Sequence, residues 1–492
     1  MRIPLDRESQ SFLYEQIENF LRKEIQSGAL ASGTRLPSTR NLAQSLGVNR
    51  ITVSTAYAGL ESEGLLFSKL GSGTYVASLF GAASPPHAGG EPVQDWPLWQ
   101  STLIRRTWLP TDQVREQLGM GFGSSNGHIS FAFGEAPVDL FPTDEFRRSL
   151  NDVLRRDQTS AMGYGDRAGY LPLRATIVHI LASQGILTRP EEILITSGST
   201  QAISLVAHLL LRPGDAVLVE SPTYANAIDL FTSLDVHLIG VEVDEQGMQV
   251  ERVEHVLRTH HPELIYTIPT FHNPTGTCLS APRRRQLVAL AQRYNIPILE
   301  DEFVGDLRYE GRALPALKTL DPGGCVIYTS TFSKMLMPGL RVGYLVASGP
   351  VYQRLLAWKR VTDLATSNLM QRALDAYITV GRYQAHLNRA RRIYRRRRDA
   401  MLDALRQAMP PGTSWLTPQG GFFVWLKLPP GVKTGMLFPL ALEEGVDFAP
   451  GNLYFAHEMG DEFLRLNFTF HPSNIIEEGV RRLGKALNRC IR

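Results

Sequence analysis

The segment Thr331-Phe332-Ser333-Lys334-Met335-Leu336-Met337-Pro338-Gly339-Leu340-Arg341 says more about the architecture of this chain than any other. It follows Val326-Ile327-Tyr328, a short apolar run that is typical of a buried strand. A lysine amine can bond covalently to a carbonyl compound, and an arginine can bind a phosphate through two parallel hydrogen bonds. An isolated Ser-Lys is usually a surface pair, so the interpretation depends on the residues around this segment.

Strand-like and helical patterns alternate from Phe131 to the end of the chain. Alternation of this kind predicts an α/β domain. The other candidate buried strands are Ile193-Leu194-Ile195-Thr196, Ala216-Val217-Leu218-Val219, Leu264-Ile265-Tyr266-Thr267 and Ile296–Leu299.

Polar residues follow two of these strands. Ser197-Gly198-Ser199-Thr200 opens a helix, and the free N–H groups of a helix N-terminus can bind an anion, although a plain N-cap explains the same pattern. Glu300-Asp301-Glu302 closes another strand, where a carboxylate can reach the crevice in which ligands lie. Chemistry alone does not decide which of these three acids would contact a ligand.

Two further segments carry candidate ligand-binding residues. His272-Asn273-Pro274-Thr275-Gly276 contains an asparagine that can donate a hydrogen bond, although an Asn-Pro turn by itself accounts for the Pro and the Gly. Ser221-Pro222-Thr223-Tyr224 places a tyrosine after a strand, where a tyrosine is more often simply packed. Each segment is weak evidence alone, and their order along the chain gives them weight.

Taken in order, these segments resemble the fold-type I aminotransferases, which depend on pyridoxal phosphate (PLP). The resemblance runs from about Phe131 to the C-terminus. It implies that Lys334 forms the Schiff base with PLP, that Asp301 faces the pyridine nitrogen, and that Asn273 binds the O3′ atom. The remaining cofactor contacts that it implies come from Tyr224 on the ring, from Thr331, Ser333 and Arg341 around the phosphate, and from Ser199 and Thr200.

The same resemblance implies two more site residues. Tyr164, in Tyr164-Gly165-Asp166-Arg167-Ala168-Gly169, resembles the tyrosine that reaches the phosphate in a neighbouring subunit, so we expect a homodimer. Arg465, in Leu464-Arg465-Leu466-Asn467-Phe468, resembles the arginine that binds the substrate α-carboxylate. An arginine on a surface strand is the alternative interpretation of Arg465.

The N-terminal part of the chain has a different pattern. Its segments are, in order, the helix start Leu36-Pro37-Ser38-Thr39-Arg40, the turn Gly47-Val48-Asn49, a helix from about Arg50 to Glu63, and two β-type runs around Gly71-Ser72-Gly73. This pattern resembles the winged helix-turn-helix of the GntR family, although other small helical domains with a hairpin share parts of it.

The GntR resemblance predicts binding to a double-stranded DNA operator. The expected contacts are Ser38, Thr39 and Arg40 at the first helix start, Arg50, Thr52, Ser54 and Tyr57 on the recognition helix, and Lys69 and Gly71 in the wing. Arg50 is the best candidate for a contact to a base in the major groove.

The chain as a whole resembles the MocR-type regulators. We therefore expect a multidomain fold: a small α+β winged helix-turn-helix over residues 1–77, a linker over 78–127, and a large α/β fold-type I PLP-dependent aminotransferase-like domain, which also dimerises, over 128–492. The predicted function is a PLP-dependent transcriptional regulator that senses an amine or amino acid as an external aldimine. The alternative is an active amino-acid aminotransferase with an appended DNA-binding domain.

Two positions depart from the families that the chain resembles. Phe303 stands where relatives commonly carry a tyrosine after the pyridine-binding acid, and a phenyl ring cannot hydrogen-bond to O3′. Asn226 stands where the MocR-type regulator responsive to γ-aminobutyrate has an arginine, which puts that ligand in doubt. The first departure favours regulation over turnover and leaves residual transamination open.

The composition of the 492 residues is that of a globular chain, with 43% hydrophobic and 20% charged residues. The formal net charge of +3 is small, so DNA binding must come from the local placement of Arg and Lys. Cys278, Cys325 and Cys490 are far apart and the histidines lack metal spacing, so we expect neither disulfides nor a metal site. Because we find no apolar run of membrane length and no leader-like segment, we expect a cytoplasmic protein.

Overall fold

The computed structural model describes residues 3–6, 11–26, 29–30, 34–62, 65–69, 73–77, 109–117, 128–457 and 459–491. The chain falls into two compact units, Met1–Trp108 and Leu109–Arg492. Within the described ranges, no helix is long and apolar enough to cross a membrane. In the same ranges, no group of three or more His, Cys, Asp or Glu side chains could hold a metal ion.

The described part of the first unit is a winged helix-turn-helix. Its elements are α1 (Leu13–Gln26), α2 (Thr39–Leu46), α3 (Arg50–Ser62) and the antiparallel strands β1 (Leu66–Lys69) and β2 (Gly73–Val76). The Ser38 hydroxyl caps α2 by accepting a hydrogen bond from the Asn41 backbone N–H (3.2 Å). Gly47 ends α2 with a φ of 63°, which glycine adopts at little cost. Ile17 and Val53 pack in a core shared by the helices and strands, so the predicted fold of this unit is confirmed.

The second unit is built on an eight-stranded sheet. Its strands are β4 (Ile193–Thr196), β5 (Ala216–Ser221), β6 (His237–Asp244), β7 (Gly247–Met248), β8 (Leu264–Thr267), β9 (Ile298–Glu302), β10 (Val326–Thr331) and β11 (Gly343–Val346). They lie in the order β4-β11-β10-β9-β8-β5-β6-β7. The strands from β10 to β6 in this order are parallel, whereas β11 is antiparallel to both its neighbours and β7 is antiparallel to β6.

Helices connect and cover these strands, as a parallel sheet requires. In chain order they are α4 (Pro110–Gln117), α5 (Thr143–Asp157), α6 (Thr159–Met162), α7 (Leu171–Ser183), α8 (Ser199–Leu210), α9 (Ala225–Ser233), α10 (Val250–His260), α11 (Ala281–Tyr294), α12 (Pro350–Thr362), α13 (Asn368–Thr379), α14 (Arg382–Ala408), α15 (Thr434–Glu443) and α16 (Ser473–Ile491). Leu194, Val206, Leu264 and Tyr328 belong to the largest buried cluster, which joins strands and helices. The predicted α/β architecture is confirmed.

A smaller sheet forms the C-terminal part of the second unit. Its antiparallel strands are, in spatial order, β12 (Ser414–Trp415), β13 (Phe423–Lys427), β16 (Phe463–Asn467) and β15 (Ala449–Pro450), and β14 (Val446–Asp447) pairs in parallel with β3 (Ile129–Ser130). Leu426, Leu464 and Leu483 belong to a second buried cluster beneath it. Strand β16 carries Arg465 opposite Trp425 of β13, so the small sheet contributes directly to the site described below.

Helix α4 lies within the stretch that the sequence assigns to a linker. Thr111 donates hydrogen bonds to the Asp229 carboxylate on α9, from its backbone N–H (3.1 Å) and from its hydroxyl. Val114 packs with Leu453 and Tyr454. Residues 109–117 therefore belong to the second unit and not to the linker predicted over 78–127. Residues 78–108 and 118–127 lie outside the described residues.

Candidate functional site

A cavity of about 710 Å³ lies where the carboxyl ends of β8, β9 and β10 approach the small sheet. The site residues predicted from the sequence that line it are Ser199, Tyr224, Asn273, Asp301, Lys334 and Arg465. Phe303 and Asn226, the two departures, line it as well. The fold thus brings together residues that are widely separated along the chain.

Lys334 lines this cavity from the loop that follows β10. Burial lowers the pKa of its amine, Glu135 opposes that change, and the positive charges of Arg465 and Arg341 lower the pKa further. A lowered pKa increases the fraction of neutral amine, which is the form that attacks a carbonyl carbon. Lys334 therefore has the surroundings of a nucleophile and not those of a surface lysine.

Asp301 lines the cavity from β9. Burial raises the pKa of its carboxyl group to about 7, a hydrogen bond from Tyr266 opposes the rise, and the charge of Glu220 adds to it. The Tyr266 hydroxyl donates to Oδ2 (2.9 Å), whereas Oδ1 is buried without a hydrogen-bond partner. An unsatisfied buried acceptor is unfavourable, so Oδ1 is suited to a donor such as a protonated pyridine nitrogen.

The acids on either side of Asp301 have different surroundings from it. Glu300 accepts hydrogen bonds from the backbone N–H groups of Leu317 (2.7 Å) and Lys318 (2.8 Å), so its carboxylate serves the fold. Glu302 lines a different cavity, and burial raises its pKa to about 8. Of these three acids, Asp301 is thus the one that lines the cavity with Lys334.

The N-terminus of α8 has the properties of an anion site. Gly198 precedes this helix with a φ of 98°, and a Cβ atom there would lie 3.1 Å from Nη2 of Arg341. That nitrogen donates to the carbonyl oxygen of Ser197 (2.8 Å), which holds the guanidinium beside the helix N-terminus. Free N–H groups and a guanidinium favour a phosphate.

The hydroxyl residues predicted around the phosphate differ in their availability. Ser333 Oγ is buried without a hydrogen-bond partner. Thr331 Oγ1, in contrast, accepts a hydrogen bond from the Ser333 backbone N–H (3.1 Å) and donates to the Val342 carbonyl oxygen (3.4 Å). Thr331 therefore shapes the loop before Lys334, and Ser333 is the one of the two with an unpartnered hydroxyl.

Arg465 is buried at the cavity wall, with 6% of its surface exposed. Its Nη1 donates to Asn273 Oδ1 (3.0 Å), its Nη2 donates to the Ala132 carbonyl oxygen (2.7 Å), and its Nε has no partner. The guanidinium lies over the Phe423 ring at 4.0 Å. Burial lowers the pKa of Arg465, and the groups that oppose this are the phenols of Tyr454 and Tyr224, with no carboxylate among them. The alternative of a surface arginine is wrong.

Tyrosines occupy both the cavity and the surface. Burial and, to a lesser extent, the charge of Asp301 raise the pKa of Tyr224 to about 12. A hydrogen bond with Thr200 opposes this rise. Tyr164 does not line the cavity and is 91% exposed. The predicted role of Tyr164 requires a second copy of the chain and stays a prediction.

Several cavity residues were missed from the sequence. Arg115 of α4, His128, Glu135 and Tyr454 all line the cavity. Glu135 offers a carboxylate that acts on Lys334, and Arg115 adds a second guanidinium. No local pattern in the sequence marks Arg115 as a site residue.

In the first unit, the residues predicted to contact DNA are mostly accessible. Ser38, Arg40, Arg50 and Ser54 are exposed, and Thr39 and Thr52 are half-buried. Arg50 Nε donates to Thr39 Oγ1 (3.4 Å), which links the starts of α2 and α3.

Tyr57 is a correction to the predicted DNA interface. Its side chain is 3% exposed in the core of the first unit, and its hydroxyl donates to the Pro37 carbonyl oxygen (2.9 Å). A buried phenol with a backbone partner supports the fold and does not reach a base edge. Gly71 lies outside the described residues, as does the side chain of Lys69.

A family model described as "Aminotransferase class I and II" matches residues 127–483. The chain belongs to this family. A second model, "Bacterial regulatory proteins, gntR family", matches residues 13–76. The chain therefore joins a GntR-type domain, which implies DNA binding, to a class I and II aminotransferase domain, the arrangement of the MocR-type regulators.

Relatives of both kinds are known. The uncharacterized HTH-type transcriptional regulator YdfD of Bacillus subtilis is 32% identical over 96% of this chain and 95% of its own length. The 2-aminoadipate transaminase of Thermus thermophilus is 38% identical over 73% of this chain and 90% of its own length. Among solved structures, kynurenine aminotransferase of Pyrococcus horikoshii, in complex with PMP, gives a TM-score of 0.74 at 33% identity and covers 80% of this chain and 97% of its own.

Class I and II aminotransferases depend on PLP, and the residues of this chain fit that cofactor. Asp301 Oδ1, an acceptor, and the Ser333 hydroxyl, which can donate to a phosphate oxygen, are both buried without a hydrogen-bond partner. A Cβ atom at Gly198 would lie 3.1 Å from Arg341 Nη2, so glycine at this position lets the guanidinium lie against the start of α8, where a phosphate would bind. These are separate observations on the ring and phosphate sides of the expected cofactor.

Proposed function

We propose that this class I and II aminotransferase-family protein is a PLP-dependent transcriptional regulator whose second unit senses an amino acid. The observation that carries the proposal is Arg465: a buried guanidinium, on the same cavity as Lys334, whose hydrogen-bond partners among the described residues are Asn273 and the Ala132 carbonyl oxygen, with no carboxylate. A buried charge without a counter-ion is unfavourable. A ligand that presents a carboxylate to Arg465 and an amine to the cofactor supplies that counter-ion.

The cofactor would be held by residues already described. PLP supplies an aldehyde carbon that bonds to amines and a ring that withdraws electrons from it. Lys334 Nζ would hold that carbon in the resting protein, Asp301 would keep a proton on the pyridine nitrogen, and Asn273 would face O3′. Gly198, Ser333 and Arg341 would surround the phosphate, with Ser199 and Thr200 at the start of α8.

The switch requires a contact that exists in only one state, because a ligand shifts an equilibrium only through its differential affinity. Arg465 would provide such a contact. It donates to Asn273 Oδ1 in the ligand-free protein, and its contact with an effector carboxylate would exist only in the ligand-bound state. Release of Lys334 from the cofactor would change the charge beside Glu135 and Arg341. A coupling of about 1–3 kcal/mol between ligand and DNA is sufficient for a regulatory response.

Assembly is part of the proposal. Tyr164 is 91% exposed, as it must be to reach a phosphate bound by a second copy. A homodimer would also present two DNA-reading units to paired half-sites of an operator. Arg40 and Arg50 are exposed at the starts of α2 and α3, where contacts to phosphates and to base edges are made.

The second candidate is an active amino-acid aminotransferase with an added DNA-binding domain. The similarity to transaminases, among them the 2-aminoadipate transaminase, favours it. Phe303 lines the cavity and cannot donate a hydrogen bond, which favours regulation.

Two measurements on the full-length protein separate these candidates. The first is operator affinity with and without a panel of amino acids that includes aromatic amino acids, kynurenine and 2-aminoadipate. The second is multiple-turnover formation of keto acid from the same panel. A ligand-dependent change in operator affinity without turnover supports the regulator. Turnover with no effect on DNA binding would refute it.

A further inference from the structure

We infer that Tyr266 is a positioning residue for the pyridine-facing acid: from outside the cavity, its hydroxyl holds Oδ2 of Asp301 and leaves Oδ1 for the cofactor. The inference rests on the proposed PLP site. It adds to that site a residue that does not line the cavity and acts through Asp301. Tyr266 is fully buried on β8 and is absent from the residues that line the cavity.

The phenol is fixed in place by its neighbours. Tyr266 pairs with Leu299 in the register between β8 and β9, and its ring packs edge-on against Phe231 at 5.7 Å. Its hydroxyl donates to Asp301 Oδ2 at 2.9 Å. Burial, followed by the charge of Asp301, raises the pKa of Tyr266 well above its ordinary value, so the phenol keeps its proton. Tyr266 is therefore the donor of this hydrogen bond and the ionised Asp301 carboxylate is the acceptor.

Glu220 of β5 acts on the same acid in the opposite direction. Its carboxylate accepts hydrogen bonds from Thr267 Oγ1 (2.6 Å) and from the Ile268 backbone N–H (3.0 Å), and His272 Nε2 lies 3.4 Å away. Burial raises the pKa of Asp301, the hydrogen bond from Tyr266 lowers it, and the negative charge of Glu220 raises it further, to about 7. The hydrogen bond from Tyr266 thus favours the ionised form of Asp301 and opposes both burial and the charge of Glu220.

This arrangement links Tyr266 to the cofactor through Asp301. Tyr224 faces Asp301 from the cavity side, and its pKa responds to the charge of Asp301. Without the Tyr266 hydroxyl, Asp301 would bind a proton more tightly and would stabilise a positive pyridine nitrogen less well. A less positive ring withdraws fewer electrons, so the proton shared between Lys334 Nζ and the cofactor would be held to higher pH.

The test compares Tyr266→Phe with Tyr328→Phe in the full-length protein. Tyr328 is an equally buried tyrosine, on β10, whose charged neighbours are other acids and not Asp301. Two quantities are measured: the dissociation constant of PLP for the cofactor-free protein, and the pH midpoint of the visible absorbance of the loaded protein. Tyr266→Phe is expected to weaken PLP binding by roughly tenfold and to raise the midpoint by about one pH unit. Tyr328→Phe is expected to match the wild type in both.

Glu220→Gln examines the same network from the other side and keeps the test decisive if Tyr266→Phe fails to fold. Removal of the Glu220 charge is expected to lower the pH midpoint. An unchanged midpoint in either Tyr266→Phe or Glu220→Gln overturns the inference, as does an equal shift in Tyr328→Phe. If the wild-type protein binds no PLP, the proposed function fails instead, so the two failures are distinguishable.

Discussion

Replacement of Arg465 by methionine is expected to weaken ligand binding without unfolding the protein. Loss of one partner of a buried charge pair costs about 2–5 kcal/mol, so the ligand dissociation constant should rise by roughly 30-fold to several thousand-fold. In the ligand-free protein, two contributions to stability oppose each other. The variant strands two acceptors, Asn273 Oδ1 and the Ala132 carbonyl oxygen, but it also removes a buried charge that has no carboxylate partner. The free energy of unfolding should therefore stay within about 1 kcal/mol of the wild type.

A matched control is offered by Arg284, a second buried arginine. Its guanidinium donates to the carbonyl oxygens of Leu279, Pro315 and Pro269 and to Thr270 Oγ1, and it does not line the cavity. Arg284→Met strands more acceptors, so we expect it to lower stability by about 2–4 kcal/mol and to leave ligand affinity unchanged.

The assay is a titration of the cofactor-loaded protein, followed by visible absorbance, with amino acids and with their decarboxylated amines. Thermal and urea unfolding of the ligand-free proteins give the stabilities. Arg465→Met should remove the preference for amino acids over amines, because the amines lack the carboxylate. Undiminished amino-acid affinity in Arg465→Met would refute the assignment of Arg465 as the carboxylate-binding residue.

Four more predictions follow from the same structure. Lys334→Ala should abolish the visible absorbance band of the cofactor-loaded protein, and an unchanged band would assign the covalent bond to another lysine. Arg50→Ala should weaken operator binding by about 1–3 kcal/mol, and an unaltered DNA footprint in the Arg40→Ala, Arg50→Ala double variant would contradict the docking mode. Because the folded-state pKa of Asp301 is raised to about 7, the folded protein binds this proton more tightly than the unfolded chain. The stability of the cofactor-free protein should therefore fall as pH rises from about 4 to about 7. Asp301→Asn should make that fall less steep in a calorimetric pH series, with Glu302, whose pKa is raised to about 8, contributing to the rest; parallel profiles would argue against it. Tyr164→Ala should weaken PLP binding while the sedimentation of the protein stays that of a dimer, and full cofactor affinity would exclude the shared site.

Much of this fold could be predicted because its signals are local. Ser38 and Gly47 mark the start and end of α2 in the sequence, and the structure has both caps. The strand before Lys334 and the strand before Asp301 are short apolar runs in sequence, and both lie in the parallel part of the large sheet.

The features that could not be predicted depend on contacts between distant segments. The burial of Arg465 arises from Asn273 and Ala132, which are far from it in sequence. Arg115 lies at the cavity on α4, which is held by Asp229, a residue far from it in sequence. Tyr57 is different, because the sequence did contain a signal: Val53, Tyr57 and Leu60 follow the helical period and are all buried. The phenolic hydroxyl of Tyr57 on the predicted recognition helix favours a DNA contact, whereas the helical period favours burial, and the structure has Tyr57 buried.

The attachment of α4 has a practical consequence for protein engineering. A biosensor that couples the second unit to a foreign DNA reader needs a splice point, and the linker predicted over residues 78–127 offers many positions for it. The hydrogen bonds from Thr111 to Asp229 restrict that choice, because a junction after residue 117 would delete Arg115 from the cavity wall and expose Leu453 and Tyr454. Fusions made before Leu109 keep Arg115 in the cavity wall. The change in DNA affinity that a ligand causes in such fusions would measure how strongly the second unit alone couples ligand binding to an attached DNA reader.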